Sequence, residues 1–181
     1  AKESRVTKPK GKTGPLNLIT DVAGLKIGQA HDADARTGVT VILAETPAVA
    51  AVDVRGGGPA GRETDVLKAE NLVQEVDAIV LSGGSVYGLA AADGIAAWMG
   101  MRGRGYGMGG GAGVPPSPIV PSACIYDLAN GGNKQWGMDT PYRRLAVEAL
   151  EGAGEAFALG TQGAGYGAQA GGLKGGIGSA S

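Results

Sequence analysis

Glycine sets the tightest bound on what this chain can fold into. It supplies 35 of the 181 residues, about one in five where average proteins have roughly 7%. Eight fall between Gly100 and Gly113 and nine between Gly160 and Gly178. No Gly-X-Y period runs through them, and Ala, Val, Leu and Ile are plentiful, so collagen and general disorder are poor readings. Such clusters serve loops that approach another backbone closely or take conformations other residues resist. The length suits one domain, and a hydrophobic content of 43% can fill a core.

Charge and rare residues exclude several classes. Lys and Arg total 16 and Asp and Glu 17. This balance gives neither the basic footprint of a nucleic-acid binder nor attraction to an anionic membrane surface. No apolar run reaches the length of a membrane span. Residues 1–15 (AKESRVTKPKGKTGP) are polar and basic, read as a flexible arm, and contain no apolar signal core. A cytoplasmic location is therefore expected, or a periplasmic one if a signal peptide has been removed. A single cysteine, Cys124, and a single histidine, His31, rule out a disulfide framework and a Cys- or His-built metal site.

Residues 16–181 read as one α/β domain. Residues 17–28 suggest strand, turn and strand. β-Branched runs at 38–43 and 48–54 suggest two strands separated by Glu45, Thr46 and Pro47. Thr64 opens an expected helix to about Val73. The strand Ala78–Leu81 is uniformly apolar, as a strand buried on both faces would be. A Ser-Gly-Gly turn follows, with Ser85 as expected N-cap of a helix to about Met101. Residues 119–128 read as an interrupted apolar strand, and Thr140 and Pro141 open a helix to about Leu150.

Three local arrangements invite chemistry. Ser85 stands at a strand-to-helix turn like a nucleophile elbow, but position 87 is Tyr where that motif needs Gly, and His31 precedes the serine. The turn Ser82-Gly83-Gly84-Ser85 offers backbone N–H groups to an anion, although no phosphate-loop lysine follows. Residues 163–168 (GAGYGA) match a dinucleotide fingerprint only loosely. Tyr126 and Asp127 close an apolar run, and Lys174 stands alone among glycines. Tyr126 reads as a packed ring with its hydroxyl in water, and Lys174 as a solvated loop charge or as a holder of carboxylate or oxyanion.

Five phrases, in order, resemble the DmpA/P1 family of self-processing aminopeptidases, which includes β-aminopeptidases and nylon-oligomer hydrolases. They are RTGVTVI (36–42), RGGGPAGRETD (55–65), AIVLSGGSVYGLAAAD (78–93), PIVPSACIYDL (118–128) and GLKGGIGSAS (172–181). The resemblance implies an αββα sandwich like that of N-terminal-nucleophile hydrolases. It implies a precursor that cuts itself into α and β chains, freeing a Ser or Thr whose own amine acts as base. Amide cleavage would pass through an acyl-enzyme without metal or cofactor. The chain then looks like most of an α-subunit that lacks the nucleophile. Its expected partners are a β-subunit from the same precursor, further αβ copies, and a small peptide or amide substrate.

By resemblance, Tyr126 is a catalytic oxyanion donor and Lys174 a catalytic lysine beside the nucleophile. Ser82, Gly83, Gly84, Ser85 and Tyr87 would face the substrate cleft, with Ser122 nearby. The family's aminopeptidases carry an acid near Ser122 to clamp a substrate ammonium. Here the stretch reads Pro-Ser-Ala, so amidase chemistry is the safer expectation. The alternatives are a noncatalytic phosphate-binding module and an acyltransferase of the ornithine acetyltransferase type.

Overall fold

A computed structural model describes residues 11–109 and 111–181; residues 1–10 of the expected arm lie outside them. Strand β1 (Leu25–Asp32) and strand β2 (Thr37–Ala48) form an antiparallel hairpin. Its turn is set by Asp32, whose Oδ1 accepts the Ala35 N–H at 2.9 Å, a local carboxylate-to-backbone bond that favours turns. β3 (Gly61–Arg62), β4 (Val76–Ser82) and β5 (Ser122–Cys124) complete a five-stranded sheet in the order β1-β2-β4-β5-β3. β4 and β5 are parallel, and their neighbours antiparallel. Helix α1 (Ala90–Met101) and helix α2 (Tyr142–Glu151) pack together on one face. A small hairpin, β6 (Gln169–Ala170) with β7 (Leu173–Lys174), lies near the end.

Alternation within β2 shows why the layers form. Val39 and Val41 point into the helix layer and are fully buried with Val80, Ala91, Ile95, Met99, Leu145 and Ala149. Thr40 and Ile42 point the other way, where Thr40 Oγ1 accepts the Ala164 N–H at 3.0 Å. Ile27, Ile42 and Leu81 line an apolar groove there with Phe157 and Ile177. Gly28 lets α2 approach β1, because a Cβ at that position would overlap the Ala149 carbonyl oxygen. Behind α1, Arg104 returns to the sheet. Its Nε lies 3.2 Å from Asp77 Oδ1, and the other oxygen of this buried carboxylate accepts the Ile119 N–H at 2.9 Å. Among the described residues no helix is long and apolar enough to cross a membrane.

Several expected elements are shorter or shifted. β2 runs through Glu45-Thr46-Pro47 with a register shift, and residues 49–54 are not strand. Proline is tolerated because this end pairs only sparsely with β4. The expected helix from Thr64 is a single 3-10 turn, Thr64–Leu67. Residues 17–28 hold a 3-10 turn at Ile19–Asp21 before β1. The run 119–128 gives only the three residues of β5, since Pro118 and Pro121 carry no N–H for a ladder. Ser85 is not an N-cap: it sits inside a 3-10 turn, Ser85–Leu89, with φ +53° and no capping hydrogen bond. The helix beginning at Thr140-Pro141 stands as expected, α2 starting one residue later.

Candidate active site

The Ser82–Tyr87 turn is built around a buried carboxylate. Asp127, 2% exposed, accepts the Gly84 N–H on Oδ1 and the Thr37 hydroxyl on Oδ2, both at 2.7 Å. Thr37 Oγ1 also lies 3.3 Å from the hydroxyl of fully buried Tyr142. Thr37 has one proton and spends it on the charged acceptor, so Tyr142 donates in turn. Burial pushes the Tyr142 hydroxyl pKa up, and the Asp127 charge adds to it.

The two glycines of the turn exist for this packing. A side chain at Gly83 would strike Asp127 and Thr37, and one at Gly84, where φ is +83°, would strike the Tyr142 ring. The turn amides are also spent within the protein. Gly83 N donates to Gly38 O, Ser85 N to Ile125 O and Tyr87 N to Gly84 O. These groups are not free to cradle a phosphate, which removes the support for a phosphate-binding module.

The expected site residues fall into three environments. Ser82 and Ser122 are buried in neighbouring strands, their hydroxyls without a hydrogen-bond partner. Cys124 stands opposite Ser82 in the parallel pairing, its thiol pKa pushed to about 11 by burial and then by the Asp127 charge. Ser85 is half-buried and Tyr87 exposed, with the Tyr87 ring edge-on to Trp136 and Trp136 edge-on to Tyr142. Tyr126, adjacent to the buried Asp127, is 67% exposed. Lys174 lies elsewhere, at a cleft of about 290 Å³ that also takes Arg36, Asn130, Tyr166, Gly167 and Gln169.

Lys174 is exposed but tethered. Its Nζ donates to Gly165 O at 2.9 Å and to Gly175 O. The glycines beside it allow this grip: Gly165 and Gly176 pack where any Cβ would overlap backbone. The cleft and the turn share one wall, because a Cβ at Gly167 would meet both Arg36 O and Asp127 Oδ2. Asn130 Nδ2 ties this wall together by donating to Arg36 O at 2.6 Å and Gly167 O at 3.1 Å. Asp127, Asn130 and Arg36 were thus missed as site-builders. Only the acid closing an apolar run hinted at any of them. Ser179 Oγ accepts the Ile19 N–H, and Ser181 Oγ accepts the Gly14 N–H and donates to Asp21; both tie residues 179–181 to the segment 14–21.

Comparison with known proteins decides the family. The model of peptidase family S58 matches residues 17–181. The chain belongs to peptidase family S58. An uncharacterized aminopeptidase of Mycobacterium bovis is 47% identical over 174 residues, covering 92% of this chain and 48% of that protein. A 6-aminohexanoate-oligomer endohydrolase of Kocuria sp. is 34% identical over 168 residues, covering 90% of this chain and 41% of that one. The chain thus spans about half the length of the curated relatives it matches.

Two solved structures show the fold. A β-aminopeptidase of Burkholderia sp. superposes with a TM-score of 0.66 at 24% identity, covering 87% of this chain and 44% of that one. An L-aminopeptidase D-Ala-esterase/amidase of Ochrobactrum anthropi superposes at 0.69 and 22% identity, covering 91% and 47%. The latter is described as a new variant of the N-terminal-nucleophile hydrolase fold. The mixed α/β architecture and the S58 membership bear out the fold class and family expected from the five phrases.

Proposed function

We propose that this chain forms the α-part of an N-terminal-nucleophile hydrolase that cleaves amide bonds of short peptides or related amide oligomers through an acyl-enzyme. The carrying observation is Lys174: an ammonium fixed by backbone carbonyls at the edge of a cleft is placed for work rather than solvated at random. The names of two relatives, an uncharacterized aminopeptidase and a 6-aminohexanoate-oligomer endohydrolase, support the same bond type. In this reading residues 16–181 are one α/β domain, completed by the portion that the relatives possess beyond the matched half. That portion supplies the Ser or Thr nucleophile and becomes the β-subunit after self-cleavage, and αβ units associate further. Lys174 holds the nucleophile's amine in its reactive, uncharged form by adding positive charge nearby. Tyr126 directs its exposed hydroxyl at the tetrahedral oxyanion.

Intact mass spectrometry and a denaturing gel of the full-length gene product test this reading. Two fragments, the smaller beginning with Ser or Thr, are expected. A single uncut chain that turns over no amide substrate would sink it.

A further inference from the structure

The cleft beside Lys174 holds a second cation that amide cleavage alone does not require. Arg36 closes the β1–β2 turn with φ +49°, a left-handed conformation costly for a side chain of this kind. Asn130 holds it there. Asn130 Nδ2 donates to Arg36 O, and Arg36 Nη1 donates to Asn130 O at 3.2 Å. That bond uses one of five guanidinium N–H groups.

Neither Arg36 nor Lys174 forms an ion pair with a carboxylate of the described residues, whereas Arg104, Arg143 and Arg144 each do. Lys134 adds to the positive field. Its Nζ donates to Asn130 Oδ1 at 3.1 Å, and its pKa is lowered by burial first; the Asp127 charge opposes this and the Arg36 charge adds to it. Tyr166 walls the cleft, its ring stacked on His31 at 4.2 Å and 9°. A pocket of about 290 Å³ with two cations that no carboxylate of the described residues neutralises and an aromatic wall suits a small anion attached to a short chain.

We infer that the cleft between Arg36 and Lys174 binds the free carboxylate of a short amide substrate, so that the enzyme prefers peptides or oligomers with an unblocked acid end. This rests on the amide-hydrolase reading above. The planar Arg36 fork grips both carboxylate oxygens, and Lys174 supplies a point charge. An amidated end presents no charge to either.

The test uses the full-length protein with matched substrates, one ending in a free acid and one in a carboxamide. Arg36→Gln should raise KM for the free acid about 10-fold, the loss of a charged hydrogen bond, and raise it far less for the carboxamide, so that the preference for the acid is lost. The wild-type preference should shrink as salt is raised. Arg36→Gly relaxes the left-handed strain, so it should melt no lower than wild type yet lose the same preference. Equal effects on both substrates, or none, overturn the inference while leaving the hydrolase reading intact.

Direct binding separates the two readings. Hexanoate, but not hexanamide, should shift the melting temperature of wild type and not of Arg36→Gln. If no amide is cleaved but that shift persists, the carboxylate site stands and the hydrolase reading falls. Inorganic phosphate binding more tightly than hexanoate, through Arg36, overturns the carboxylate assignment.

Discussion

Thr37 Oγ1 lies 2.7 Å from Asp127 Oδ2, joining residues 90 positions apart. The bond links the start of β2 to the segment after β5, and the other carboxylate oxygen fixes the Gly84 amide between them. Three segments far apart in sequence therefore meet at one buried charge, which also backs the wall of the Lys174 cleft through Gly167. A buried carboxylate is tolerated only where its oxygens are satisfied.

Asp127→Asn keeps the shape of the side chain but removes the charge from two hydrogen bonds, and should cost about 1.5–3 kcal/mol. Thr37→Val should cost about 1–3 kcal/mol by leaving one oxygen unpaired. Urea midpoints of the two single variants and the double variant form a cycle. Because the residues touch, the double variant should lose less than the sum. Strict additivity would mean that the bond carries no coupling.

The glycines divide into two kinds, and substitution tells them apart. Gly28→Ala would push α2 away from β1 at the Ala149 carbonyl, an overpacking expected to cost about 1–3 kcal/mol or more. Gly57 has open space around it and no left-handed φ, so Gly57→Ala should be neutral or stabilise by about 0.4–1 kcal/mol through the unfolded chain. Thermal melts of the two variants check the contrast. A similar loss in both would make the glycine loop at 55–61 more tightly held than its surroundings indicate.

The strongest elements were legible because their signal is local. The apolar run at Ala78–Leu81 became β4, and the proline-started amphipathic segment became α2. The elements read too long, 48–54 and 119–128, have β propensity, but in the first only Ala48 finds a partner, Val76, and the second is broken by proline. Pairing is not written in a single segment. Lys174 was visible as a lone charge among glycines, and Tyr126 through the resemblance. The Asp127 node was not, because it depends on contacts across 90 residues with Thr37 and 43 with Gly84. The Ser-Gly-Gly turn looked like an anion cradle since sequence shows the amides and not what they bond to.

Cys124 should be a sluggish nucleophile. Burial, then the Asp127 charge, raises its thiol pKa from 9.0 to about 11, so little thiolate exists at pH 8. Alkylation by iodoacetamide should be slow at pH 8 and accelerate only as pH approaches 11. The folded pKa lies above the unfolded value, so the thiol's contribution to stability is fully present below about pH 9 and lost as pH rises through about 11. Rapid alkylation at pH 8 in the folded protein would show the thiol more open to solvent than this packing allows.

Tyr126 and Lys174 can be tested without confusing catalysis with folding. With Tyr126 67% exposed, removing its hydroxyl takes nothing from the core, and Tyr126→Phe in the complete precursor should melt as wild type does. If the hydroxyl donates to the oxyanion, amide hydrolysis should fall about 10-fold or more in kcat with little change in KM, since the interaction exists only in the transition state. Lys174→Met removes two bonds to loop carbonyls and a charge beside the proposed nucleophile. Self-cleavage or turnover should therefore suffer more than the melting temperature. Unchanged turnover in Tyr126→Phe would leave that ring as packing. A lowered melting temperature with normal turnover in Lys174→Met would make the lysine a clasp for the glycine hairpin, and the chemistry would then have to come from elsewhere along the cleft wall.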